Sequence, residues 1–191
     1  MSQLSERLEQ LEPKILDSNF RTGRGTANEV NFWIVDYDAE DEMQVRDYIE
    51  FLEKHINSRH DEVKIKIFDL YDIVINVLEE KGYLDKVVKM ERAKGSGEII
   101  DPIKSTLRLT LDSDLVVAKI TEDLTPETDI IILMGIGKAW PIIRSHTILN
   151  NLHDKVDRNP LVMFFPGHYT NKLSLFGEIT DDNYYRAFKL V

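Results

Sequence analysis

Five short apolar runs alternating with helix-period segments predict an α/β protein: a single layered domain spanning residues 1–191, with a mostly parallel central sheet flanked by helices on both faces. The runs lie at residues 30–37, 63–68, 129–134, 161–165 and 184–190. A second observation supports one domain. A chain of 191 residues can bury a single sizeable core, and this one shows no internal repeat and no low-complexity tract.

Leu4, Leu8, Leu11 and Ile15 recur at spacings of four, three and four, so residues 2–18 read as an amphipathic helix, with Pro13 placed to kink or restart it. Such a helix either packs on its own sheet or docks on a partner. The loop from Phe20 to Thr26 carries Arg21, Gly23, Arg24 and Gly25 and precedes a strand. A phosphate loop would follow one, so a flexible lead-in is the better reading.

VNFWIVDY, Val30 to Tyr37, is the first core strand, and Asp38 is suited to cap the helix that follows over residues 40–57. Val45, Ile49, Leu52 and Ile56 make its buried face. Asp36, Asp38, Asp41 and Glu42 form a carboxylate cluster near the C-terminal end of a strand, where ligands bind in open α/β sheets. Hard cations such as Mg²⁺ take carboxylates of this kind, so Asp36 and Asp38 are the candidate metal ligands. Capping accounts for the others but not for Asp36.

VKIKIF, Val63 to Phe68, alternates apolar residues with Lys and so belongs near a sheet edge. Leu70, Ile73, Val74, Val77 and Leu78 then mark a helix that Gly82 ends, and residues 83–93 read as helical again. Gly95-Ser96-Gly97 is a hinge. Residues 99–122 fit either a helix or, from Leu107 to Leu111, an alternating strand; Asp101 as cap with Pro102 at the first helical position favours the helix.

DIIILM, Asp129 to Met134, is a buried strand, and Gly135, Gly137 and Lys138 make the turn that follows. The expected helix begins at Pro141, with Arg144 and His146 in its first turns. Strand, glycine turn and helix together resemble a nucleotide-binding architecture whose phosphate loop is not intact. Neither G-x-x-x-x-G-K-[ST] nor G-x-G-x-x-G is present, no hydroxyl follows Lys138, and Pro141 has no N–H to offer a phosphate.

Leu161 to Phe165 reads as a strand buried on both faces, stopped by Pro166-Gly167. His168, Tyr169, Thr170 and Asn171 follow where the strand surfaces. Leu173 to Phe176 is a short return ended by Gly177, and residues 184–191 read as a last strand, antiparallel and at an edge because residues 166–183 leave little room for a crossover helix. Arg144 and Arg186 sit among apolar neighbours, where a long basic side chain pairs with a carboxylate or meets a ligand.

FFPGHYTNKLSLFGEITDDNYYRAFKLV at the C-terminus, VNFWIVDYDAEDEMQVR from Val30 and MGIGKAWPIIRSHTILNNLH from Met134 together resemble the BrxB family of bacteriophage exclusion (BREX) defence systems. The resemblance implies a place in a defence complex whose other proteins, phosphatase-like, ATPase and methyltransferase components, would be partners. It implies no chemistry.

Composition narrows the function classes. The chain is 42% hydrophobic, carries a formal charge of −10 and has no cysteine, which excludes disulfides and thiolate metal sites. No apolar run approaches a membrane span, and the charged N-terminus, MSQLSERLEQLEPK, has no signal core, so the expected location is cytoplasmic. The negative balance argues against direct nucleic-acid binding, since that draws on Lys and Arg against phosphates; an adaptor role would rest on Arg21, Arg24 and Lys138. No residue stands out as catalytic, no cofactor is expected, and a homo-oligomer stays open.

Two functions compete. One is a non-catalytic assembly or regulatory component that binds other system proteins through its N-terminal helix and through Tyr169, Phe176, Tyr184 and Tyr185. The other is a nucleotide- or metal-dependent phosphoryl-transfer or hydrolytic enzyme using Gly135 to Lys138 and Asp36 with Asp38, Arg144 as a phosphate fork, and His146 or His168 as base.

Overall fold

The computed structural model describes residues 3–22, 31–109, 111, 113–153, 155–156, 159–180 and 187–191. The chain divides into two compact units, the first comprising Met1–Phe68, Leu124–Met134 and Val156–Val191, the second Asp69–Asp123 and Gly135–Lys155.

The first unit is built on the sheet. Its strands are β1 (Phe32–Tyr37), β2 (Ile65–Asp69), β3 (Ile130–Met134), β4 (Leu161–Tyr169), β5 (Leu173–Leu175), β6 (Ile179–Thr180) and β7 (Phe188–Lys189). They run in the order β2-β3-β4-β1-β7, with β5 added to β4 and β6 to β5. The apolar runs of β3 and β4 are the inner strands, and the Lys-alternating β2 lies at an end, as its half-wet pattern requires. β3 and β1 both pair parallel with β4, whereas β5 pairs antiparallel with β4 and β6 with β5, so the sheet is mixed.

Two expectations about this sheet are corrected. β4 does not stop at Pro166-Gly167 but runs on to Tyr169. Proline removes one ladder donor, yet its carbonyl still accepts, and the Phe176 amide donates to it at 2.8 Å. Gly167 has φ 149°, and a Cβ there would strike the Ser174 carbonyl, so the missing side chain is what lets β5 approach. The last strand lies at an edge, but it pairs parallel with β1, Trp33 opposite Phe188 and Ile34 opposite Lys189. Residues 181–186, including Tyr184, Tyr185 and Arg186, lie outside the described residues.

The N-terminal helix is three pieces: α1 (Gln3–Glu9), α2 (Leu11–Leu16) and α3 (Ser18–Thr22). The break falls at Gln10, so Pro13 sits in the first turn of α2, where its absent N–H costs nothing. α4 (Glu42–Arg59) buries Val45, Ile49, Leu52 and Ile56, the face its periodicity predicts. Leu4, Leu8, Leu11 and Ile15 join that face and Val35, Ile132, Val162 and Phe164 of the sheet in one apolar cluster. The N-terminal segment therefore packs on its own sheet and does not present its apolar face for docking. The Tyr48 hydroxyl of α4 donates to the Leu8 carbonyl at 2.6 Å. Burial, with Glu12 and Glu9 nearby, pushes its pKa up to about 12, so it stays a donor.

The second unit is helical: α5 (Leu70–Glu80), α6 (Leu84–Lys94), α7 (Ile100–Leu107), α8 (Leu115–Glu122), α9 (Ile136–Ala139) and α10 (Ser145–His153). The helix expected over residues 99–122 is interrupted. α7 starts at Ile100, ahead of Asp101 and Pro102, and ends where Arg108 turns left-handed at φ 57°. α8 restarts behind Asp114, whose carboxylate accepts from the amides of Val116 and Val117 at 2.8 and 3.1 Å. Pro141 is not a helix start either. Its bond to Trp140 is cis, and the helix waits until Ser145.

Candidate functional site

In the first unit, a cleft of about 290 Å³ opens at the C-terminal end of β1, lined by residues that include Arg7, Asp36, Asp38, Asp41, His168 and Lys189. Asp36 is its centre and is only 5% exposed. β1 lies between β4 and β7, so strand order alone brings both neighbours to this carboxylate. Lys189 of β7 donates to Asp36 Oδ2 at 3.0 Å, and the backbone N–H of Tyr169 at the end of β4 donates to the same oxygen at 3.0 Å. Arg7 of α1 reaches Oδ1 at 2.7 Å, the Asp36 carbonyl at 2.7 Å and the Val191 carbonyl at 3.1 Å. Lys14 of α2 donates to the Leu190 carbonyl, and the Tyr169 hydroxyl donates to the Ala187 carbonyl at 2.6 Å.

This network joins the N-terminal helices, β1, the end of β4 and the C-terminal strand. Burial works to raise the Asp36 pKa. The Lys189 and Tyr169 hydrogen bonds and the charges of Lys189 and Arg7 outweigh it and hold the carboxyl below its ordinary value.

That donor set does not fit a metal. Both Asp36 oxygens face cationic side chains, so a divalent ion there would have to displace Lys189 and Arg7. Asp38 lines the same cleft and occupies the cap position of the short 3₁₀ turn Ala39–Asp41, but its carboxylate makes no capping hydrogen bond. Among the described residues, no three His, Cys, Asp or Glu side chains are gathered as a metal site. His168 is exposed at the cleft, while Tyr169 is buried and cannot serve as an interface anchor.

Gly135, Gly137, Lys138, Arg144 and His146 belong to the second unit. Gly135 has φ 76°, and a Cβ there would run into the Asp69 carboxylate. That carboxylate caps α5, accepting from the amides of Tyr71 and Asp72 at 3.0 and 3.3 Å, and it binds Lys138 Nζ at 2.5 Å. Lys138 also lies 5.5 Å from the centre of the Tyr71 ring. The lysine expected to face a phosphate is thus held by an acidic cap, and α9 is a four-residue turn. His146 is half-buried in α10, and Arg144 stands exposed just before it. Of the adaptor candidates, Arg21 donates to the Glu62 carbonyl at 2.9 Å and Arg24 lies outside the described residues.

Sequence reasoning missed Arg7, Lys189 and Asp69. Asp69 carried a local signal, an acidic residue between a strand and the apolar helix it caps. Arg7 and Lys189 had none, since their partner is 29 and 153 positions away.

The geometry defines an α/β protein whose buried carboxylate is a structural node and whose conspicuous lysine is paired. Comparison with known proteins gives the family. A family profile described as BREX protein BrxB matches residues 66–190. BREX protein BrxB of Bacillus cereus (strain H3081.97) is 51% identical over 192 residues, covering 100% of this chain and 99% of that protein. BREX protein BrxB of Escherichia coli O9:H4 (strain HS) is 34% identical over 189 residues, covering 98% of this chain and 92% of that one. The chain belongs to the BrxB family and is a component of a BREX anti-phage defence system. No solved structure matches, and the expected likeness to a nucleotide-binding architecture has no support. Among the described residues, no helix is long and apolar enough to cross a membrane.

Proposed function

We propose that the chain is a non-catalytic assembly or regulatory component of a cytoplasmic BREX complex and acts by binding other proteins of its system. The phosphatase-like, ATPase and methyltransferase components are the candidate partners. The observation that carries this reading is the contrast between the residues a catalyst would need and the residues left on the surface. Asp36 and Lys138 are spent on internal ion pairs. The β5–β6 hairpin, by contrast, holds out Phe176 and Ile179, 42% and 39% exposed. Aromatic and aliphatic side chains on a short hairpin make rigid anchors with little conformational entropy to lose on binding.

The test is purification of the tagged chain from a host carrying the complete system. At least one other component should elute with it in fixed ratio. A chain that runs alone and monomeric beside every other component would remove the reading.

A further inference from the structure

The second unit contains a cleft of about 490 Å³, lined by Lys104 and Ser105 of α7, by Arg108 and Leu109 just after it, and by Ile142, Arg144 and Thr147 on the α10 side. Three cations face one cavity in a chain whose formal charge is −10. Among the described residues, no carboxylate lines this cleft, and none of Lys104, Arg108 or Arg144 is in an ion pair, whereas Lys119 and Lys138 of the same unit pair with Glu80 and Asp69. Like charges that line one cavity repel one another, and a polyanion relieves that repulsion.

Arg108 adds a second argument. It occupies φ 57°, ψ 37° at the end of α7, a conformation that glycine or asparagine adopts at lower cost. A side chain held in this conformation costs strain, which collects at binding sites as well as at helix ends.

The walls are also fixed. Asn151 of α10 donates to the Leu109 carbonyl at 3.0 Å and to Asp114 Oδ2 at 2.8 Å, tying the segment after α7 to α10. Asp114 in turn caps α8, so one buried carboxylate fixes both the start of α8 and the hold of Asn151 on the segment after α7.

We propose that this cleft binds a nucleoside polyphosphate. The volume lies within the range of small-molecule sites, about 300–1,000 Å³. Two guanidiniums and an ammonium match a di- or triphosphate, the Ser105 and Thr147 hydroxyls can donate to its oxygens, and Leu109 and Ile142 supply an apolar wall for an uncharged ring. The site is separate from the Gly135–Lys138 turn, whose lysine is paired with Asp69. A binding role is proposed, with no chemical step.

The test is titration of the full chain by calorimetry with ATP, GTP, adenosine, inorganic triphosphate and a short single-stranded oligonucleotide. A nucleoside triphosphate should bind at micromolar to low millimolar concentration and weaken as salt rises. Arg144→Gln and Lys104→Gln should each weaken it at least tenfold without lowering the melting temperature. Arg108→Asn, which removes the charge while tolerating the backbone conformation, should do the same. Lys54→Gln, an equal charge change on exposed α4, should leave it unaltered. Absence of binding by any triphosphate, or binding indifferent to the three cleft variants, overturns the proposal. Triphosphate alone binding as tightly as ATP, or the oligonucleotide binding more tightly than either nucleotide, would also overturn it.

Discussion

Lys189 on β7 meets both carboxylate oxygens of Asp36 on β1, at 2.9 and 3.0 Å. With Arg7 on the other side of the same carboxylate, it makes Asp36 the point where the two ends of the described chain are joined. A buried carboxylate with two cationic partners is costly to break from one side, because the charges left behind keep their desolvation and lose their attraction.

Asp36→Asn should therefore lower stability by about 1 to 3 kcal/mol at neutral pH, read by urea denaturation. The pH dependence has a definite sign. The folded pKa lies below the unfolded value of about 3.9, so between the two the unfolded chain binds more protons and stability rises with pH. The contribution is fully present above the unfolded pKa and is lost as pH falls through the folded one. The variant should show a shallower loss of stability on acidification below about pH 4 than the parent.

Asp114 has the opposite sign. Burial raises its pKa, while Asn151 and the amides of Val117 and Val116 pull it down without cancelling the rise. Its stabilising contribution is complete below the unfolded pKa and is lost as pH rises through the higher folded value. Asp114→Ala removes the α8 cap and should cost about 1 to 2 kcal/mol. Its difference from the parent should grow as the pH is lowered from neutral toward about 4, the reverse of the Asp36 variant.

Gly135→Ala places a Cβ against the Asp69 carboxylate at a left-handed residue. Strain alone costs about 1 to 2 kcal/mol, and displacement of Asp69 from Lys138 adds to it. In an Asp69→Ala background the same substitution should cost measurably less, a coupling that a double-mutant cycle of melting curves detects.

Leu11→Ala should cost about 2 to 5 kcal/mol, the range for a fully buried leucine that leaves a cavity. Removal of residues 1–18 should give insoluble protein, since Leu4, Leu8, Leu11 and Ile15 all belong to the core of the first unit. A soluble, cooperatively melting truncation would show that the segment is peripheral.

Phe176→Asp and Ile179→Asp should leave the melting temperature within a few degrees of the parent while abolishing co-purification with the system's other proteins. Retained co-purification would place the contact elsewhere on the chain.

The sequence by itself determined the elements whose signal is local. The face of α4 is legible because Val45, Ile49, Leu52 and Ile56 repeat with the helical period, and helical neighbours are three or four residues apart whatever the rest of the chain does. The apolar strands β3 and β4 are legible because burial on both faces leaves no room for polar residues. The caps at Asp69 and Asp114 carry an equally local signal, an acidic residue just ahead of an apolar helix, although neither was read from the sequence.

Tertiary structure decided the rest. Whether β4 ends at Pro166 depends on β5 arriving to accept its continuation, which no residue of β4 specifies. The interruption of residues 99–122 depends on Asn151 and Asp114 holding a turn against α10. Arg7, Asp36 and Lys189 are ordinary charges in sequence. They become a clasp only because β7 lies parallel beside β1 and α1 packs over the strand end, and the physics that pairs them acts across space, where sequence separation carries no information.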